Sequence, residues 1–160
     1  EQKRLFFGES RLIDLNDPST MKFGDIWDDS MKHYNPNNET DLYDPIGLEI
    51  YDERFPKDKV FTYSALLPIK SKRGIDPRLI KEIPKGTYLK FEMTYKELLE
   101  GNVPRVYDYI HDNDLIIEYG FDYEEYPKGF DYHNEDSLVF FCVKQFDLKK
   151  RWLFSAFCLI

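Results

Sequence analysis

The sequence predicts an α+β fold in which two β-α-β-β halves join into one curved antiparallel sheet. Two helices would lie on one face and leave a central cleft between them. Three observations carry this. Elements recur in the order strand, helix, strand, strand; matching elements are offset by about 75 to 77 residues; and aromatics make up 17% of the 160 residues. That aromatic content is enough to line a cavity as well as to fill a core.

In the first half, Glu9 to Leu15 reads as a strand, and Asn16-Asp17-Pro18-Ser19 supplies turn and N-cap chemistry. Phe23, Ile26, Trp27, Met31 and Tyr34 then fall on one face of a helix running from Thr20 to about Tyr34. "NPNNETDLYDP" is a polar loop. Gly47 to Asp52 is a strand, "ERFPKDK" a turn, and Val60 to Ile69 a second strand.

The basic stretch "KSKRGIDPRLIKEIP" reads as a connector, and the same order then returns. Gly86 to Tyr95 is a strand. "KELLEGNVPRVYDYIHD" is helical, with Val103, Val106, Tyr107 and Ile110 on one face and a break expected at Gly101-Asn102 before Pro104. "FDYEEY" and "SLVFFCVK" supply two more strands across the turn-rich "PKGFDYHNED". The chain thus reads as one domain: repeat 1 at about 5–70, a linker at about 71–83, repeat 2 at about 84–145, and an unplaced tail at 146–160.

A net charge of −8 disfavours contact with phosphate backbones, so direct nucleic-acid binding is not expected. Cys142 and Cys158 have neither metal-ligand spacing nor a disulfide framework, which reads as a reduced, cytoplasmic protein. No signal peptide opens the chain, and its longest apolar run is too short to cross a bilayer. The Met-less start suggests a piece of a longer chain, with any DNA-binding domain upstream or in a partner. "RWLFSAFCLI" is apolar enough to need cover, from the core, from a protein partner or from a second copy. There is no Gly-rich phosphate loop or G-x-S-x-G elbow, and His33, His111 and His133 are scattered; no cofactor and no metal are expected.

One stretch poses the functional question. In "GFDYEEYP", side-chain alternation puts Asp122, Glu124 and Tyr126 on one face and Phe121, Tyr123 and Glu125 on the other. The acidic face meets either solvent or the cleft. Glu49-Ile50-Tyr51 falls onto Glu124-Glu125-Tyr126 at an offset of 75 residues, so the pattern belongs to the duplication.

"IPKGTYLKFEMTY", then a helix carrying "VYDYI", then "FDYEEYP", resembles the effector-binding domain of AraC-type transcription activators, shared with the GyrI-like proteins. The resemblance spans roughly residues 5 to 144. It implies a duplicated fold whose cleft binds small molecules, and in multidrug-sensing members a glutamate there pairs with cationic, aromatic ligands. Glu124 matches that glutamate by position, leaving Asp122 and Glu125 as expected surface charge. Trp27 on the first helix, its analogue Tyr107 on the second, Tyr51 and Tyr63 on strands, Glu49 as the repeat mate of Glu124, and Phe141 on the last strand are the other candidate ligand contacts. Core packing is the competing role for Trp27 and above all for Phe141. The expected function is a sensor of hydrophobic or cationic effectors in transcription regulation, and not an enzyme. The alternatives are a stand-alone protein-binding module of GyrI-like kind, or a small hydrolase with Glu124 as general base.

Overall fold

The computed structural model describes residues 3–146, and within them seven strands form. These are β1 (Arg4–Asp14), β2 (Ile46–Ile50), β3 (Val60–Pro68), β4 (Ile80–Ile83), β5 (Tyr88–Thr94), β6 (Ile117–Glu125) and β7 (Leu138–Gln145). The helices are α1 (Phe23–Lys32), α2 (Phe55–Asp58), α3 (Tyr95–Leu99) and α4 (Val103–Asp112). All strand pairs are antiparallel, in the order β4-β1-β3-β2-β6-β7-β5. The predicted α+β class and single curved sheet are what the structure shows.

The duplication is written into the seam between β2 and β6. Leu48 stands opposite Tyr123, flanked by Gly47 opposite Glu124 and Glu49 opposite Asp122. Each residue of β2 has its repeat mate 75 positions on, so exchanging the halves maps this pairing onto itself. Tyr63 lies opposite Glu49, and Phe141 lies opposite Glu124, which makes Tyr63 and Phe141 repeat mates too. The buried helix residues, Ile26 and Ser30 against Val106 and Ile110, are 80 apart instead. The second half has gained the extra turn α3, opened by a capping box between Thr94 and Glu97. Gly101, at φ +76°, closes that turn in the left-handed region and lets the chain re-enter helix at Val103, with Pro104 in the first turn.

Two stretches carry more structure than their composition suggests. The connector contains β4, which pairs Ile83 with Arg4 and extends the sheet beyond the six duplicated strands. The turn "ERFPKDK" contains α2, ended by Lys59 at φ 60°.

The sheet is apolar on both faces. On one, α1 packs Ile26 over Ile13, Phe61 and Ala65, and α4 packs Val106 and Ile110 over Met93, Val139 and Val143. On the other, Phe6, Ile46, Leu48, Leu66 and Tyr123 form a second cluster, with the Arg4 guanidinium over the Tyr88 and Tyr123 rings. Strand β3 is apolar almost throughout because it serves both faces. Among the described residues no helix is long and apolar enough to cross a membrane. The apolar tail and Cys158 lie outside the described residues.

The buried polar anchor of helix α1 on the sheet is a hydroxyl, which acts beside the Trp27–Tyr63 hydrogen bond and the Asp29–Arg11 ion pair. Ser30 Oγ accepts from the Glu9 amide and donates to the Ala65 carbonyl, both at 2.8 Å, in a site without solvent exposure. Ser30→Ala leaves a buried donor and a buried acceptor without partners, so a loss of about 1–3 kcal/mol is expected from urea unfolding. A loss below about 0.5 kcal/mol would show that the Ser30 hydroxyl does not hold α1 to the sheet.

Candidate functional site

Between α1 and α4, above the β2–β6 seam, lies a cavity of about 1540 Å³. This is larger than a typical small-molecule site. Its walls come from both helices (Trp27, Tyr107), from the strands (Glu49, Tyr63, Glu124) and from the β2 and β6 exits (Tyr51, Tyr126). The alternation of β6 decides what faces it. Tyr123 goes into the opposite cluster, and Glu125 is held on that side by Lys90 at 2.5 Å, so Asp122 and Glu124 face the helices.

The strand's acidic face is therefore the dry one, and the expectation of surface charge at Asp122 is corrected. Asp122 has no solvent exposure and Glu124 only 7%. The reason lies across the seam and above it. Asp122 is paired with Glu49, and Tyr107 reaches down from α4 to cover it.

Tyrosines serve the carboxyl groups. Tyr107 donates to Asp122 Oδ2, while the Tyr51 hydroxyl contacts Glu49 Oε2 and Asp122 Oδ1, the latter at 3.1 Å. Tyr126 donates to Glu124 Oε2 at 2.5 Å, and Tyr63 reaches the same oxygen at 3.4 Å. Trp27 Nε1 donates to the Tyr63 hydroxyl at 3.2 Å and sets its orientation. Glu124 Oε1 has no donor among the described residues, nor does any of the three carboxyls form an ion pair among them.

Burial without a counter-charge raises all three. Burial, and then the neighbouring Glu49 carboxyl, pushes Glu124 from an ordinary 4.5 to about 8. The same two causes hold Asp122 well above the usual carboxylate range, and burial raises Glu49. The Tyr51 hydroxyl touches both Glu49 and Asp122, which brings the two carboxyls together as one interacting acid pair. Burial and the adjacent carboxyls push the phenols of Tyr51, Tyr63, Tyr107 and Tyr126 upward, so these stay donors.

The duplication explains the site's one gap. Gly47 is the repeat mate of Asp122 and lies against Tyr63 and Glu124 on the same face of the sheet. A Cβ there would collide with the Tyr63 hydroxyl and sit 2.7 Å from Glu124 Oε2. The bare backbone at Gly47 is what lets Tyr63 and Glu124 meet.

Of the sequence candidates, Glu124, Trp27, Tyr51, Tyr63, Tyr107 and Glu49 all line the cavity. Phe141 does not: it is fully buried under Tyr107, with ring centroids 6.2 Å apart, in the α4 core. It shares the face of Glu124 but is roofed by α4. Residues not singled out also belong to the wall. Tyr126 stacks edge-on to Trp27 at 5.4 Å, Phe23 to Tyr63 at 4.7 Å, and Phe55 packs on Tyr51 at 4.6 Å. Alternation had already put Tyr126 beside Glu124, and helical spacing had put Phe23 beside Trp27. Phe55 lay in a segment read as a turn.

No family model matches the chain, and no curated protein matches it by sequence. Solved structures do share the fold. A Staphylococcus aureus protein assigned provisionally to bacterial transcription regulation superposes with a TM-score of 0.63 at 15% identity, over 92% of this chain and 95% of its own. A protein named SAV2435, bound to tetraphenylphosphonium, gives 0.66 at 14% identity, over 94% and 93%. An integron cassette protein from the mobile metagenome of Vibrio cholerae gives 0.63 at 17%, over 91% and 92%. The chain therefore has the fold of these proteins, one of which binds tetraphenylphosphonium.

The raised carboxyls make stability fall with pH. Below about 4.5, Glu124 is protonated folded and unfolded alike; between that and about 8 only the folded chain holds the proton. Each unit of pH in that window thus lowers the stability of the empty protein, and above about 8 the contribution is gone. Glu124→Gln, which cannot titrate, is expected to flatten the decline of the unfolding midpoint between pH 5 and pH 8 (about one proton's worth of slope). An equally steep decline in the variant would mean that Glu124 is ionised in the empty cleft.

Proposed function

We propose that the domain is a sensor of hydrophobic organic cations, binding them in the cleft with Glu124 as the charge partner and aromatic rings as the walls. The observation that supports this most strongly is a buried carboxyl, 7% exposed, with one unpartnered oxygen, no counter-charge among the described residues, and Trp27, Tyr63 and Tyr126 around it. A cation entering such a site replaces the proton as the group that neutralises Glu124. Low surrounding dielectric strengthens that contact, and each desolvated ring adds cation–π attraction of about 0.5–2 kcal/mol. Flat rings and a single charge select a class of ligand in preference to one shape. The three carboxyls do not form a metal-ligand set among the described residues, which favours an organic cation over an ion.

The regulatory role is part of the same proposal. A domain with this fold, and no DNA-reading helix pair among its described residues, would relay occupancy to a DNA-binding domain in the same chain or another. The likeness to a protein assigned to transcription regulation, and to one carrying tetraphenylphosphonium, supports that reading at the level of fold.

Tetraphenylphosphonium is the direct probe. Calorimetric titration is expected to show saturable binding to the wild type, weakened at least about tenfold in Glu124→Gln, equivalent to about 1.4 kcal/mol. Affinity should also rise with pH toward about 8, since the cation competes with the Glu124 proton. Equal affinity in both proteins would remove Glu124 from the site.

A further inference from the structure

Glu124 accounts for one positive charge, yet the cavity is more acidic than one charge requires. Asp28 and Asp108 stand on its wall besides Glu49 and Glu124, as does Asp52, which is ion-paired with Arg54 at 2.5 Å, and Lys128 is the single basic residue of the described lining. Glu118, also on the wall, is already occupied by Lys144 at 2.5 Å. The mouth is apolar as well. Leu15, Met31, Leu99, Tyr119 and Tyr132 line it while remaining at least 44% exposed, and they are five of the large hydrophobic side chains that the described fold leaves in water. A ligand reaching from the floor to this rim is long, and its body is apolar.

We propose that the Glu49–Asp122 pair is a second cation-recognition point, separate from Glu124, and that the cleft is built for flat or elongated dications with an aromatic body. This rests on the reading of the cleft as a cation site given above.

The geometry carries it. Glu124 and Asp122 are two residues apart on one strand face, about 7 Å at the backbone. Asp122 and Glu49 are direct partners across the seam and share the Tyr51 hydroxyl, so their carboxyls form one compact acceptor, with Glu49 on the cavity wall and Asp122 buried behind it under Tyr107. Aromatic walls flank each point separately. Trp27, Tyr63 and Tyr126 surround Glu124, whereas Tyr51 and Tyr107 surround the pair. A monocation can neutralise one point and leave the pair holding its proton, whereas a dication with matched spacing satisfies both.

Other titratable groups facing the pair come from each element packed on it. They are Tyr51 beyond the end of β2, Tyr63 on β3, Tyr107 on α4, and Glu124 on β6, with Tyr126 just beyond. The four phenols remain neutral donors through neutral pH, because burial and the carboxyls both raise them. The proton given up when a second charge arrives therefore comes from the carboxyl groups.

A matched pair of probes tests this: methyl viologen, a flat aromatic dication, and N-methyl-para-phenylpyridinium, which has nearly the same shape and one charge. The ratio of their affinities is measured in the wild type, in Asp122→Asn and in Glu49→Gln. The preference for the dication is expected to fall at least tenfold in either variant. Loss of both ligands in equal proportion would overturn the second point. Calorimetry of the wild type in buffers of different ionisation enthalpy needs no variant. Near pH 7 the dication should release about one proton more than the monocation, because it also discharges the pair. Equal proton release would overturn the proposal even if the variants failed to fold. Failure of both probes and of tetraphenylphosphonium to bind at all would instead remove the cation-site reading on which the proposal rests.

Discussion

Three carboxyl groups are buried where two half-sheets meet, and the described residues offer them hydroxyls but no cation. Most of the site's organisation follows from that constraint. An isolated buried carboxylate is too expensive to keep, so the groups hold protons, share them, or accept hydrogen bonds from tyrosine. Tyr51, Tyr63, Tyr107 and Tyr126 supply those bonds, and their rings simultaneously form the cavity wall. The empty cleft is thus charge-poor but not charge-free in potential. On the proposed reading, a guest that brings its own positive charge would exchange with protons, and discrimination against neutral guests would follow without a dedicated steric device.

The duplicated architecture places these groups. An antiparallel seam between two copies of one strand brings four equivalent positions to its centre, at 47, 49, 122 and 124. In this chain they are occupied by glycine and three acids. The departure from symmetry is what makes room, since Gly47 leaves space for Tyr63 to approach Glu124. The same asymmetry recurs in the adjoining strands. Tyr63 brings a hydroxyl to its position, and its repeat mate Phe141 brings only bulk to the α4 core. The first half therefore brings Tyr63 to Glu124, beside the second half's own Tyr126, while the second half also supplies a helix, α4, whose Tyr107 covers Asp122.

Much of this was legible in the residues. Period-two and period-3.6 patterns located six of the seven strands and the two main helices, and the repeat of Glu-x-Tyr at an offset of 75 located the seam. β4 was not legible because "LIKEI" sits in a basic, proline-containing connector and earns its strand only by pairing with β1. The burial of Asp122 was hidden for a similar reason. Its carboxyl looks like surface charge along β6, and only the cross-strand neighbour Glu49 and the overlying Tyr107 make it interior. Phe141 shows the converse limit: alternation gives the correct face, but not which part of that face a helix will cover.

The most direct test of the central claim observes the protons themselves. Infrared difference spectroscopy at neutral pH, with carboxyl carbons isotopically labelled, reports protonated side-chain carboxyls separately from ionised ones. The free domain should show a protonated-carboxyl band, and saturation with tetraphenylphosphonium should convert at least one such group to carboxylate. A free domain with only ionised carboxyls, or a saturated complex whose protonated band is unchanged, would contradict the exchange of proton for cation.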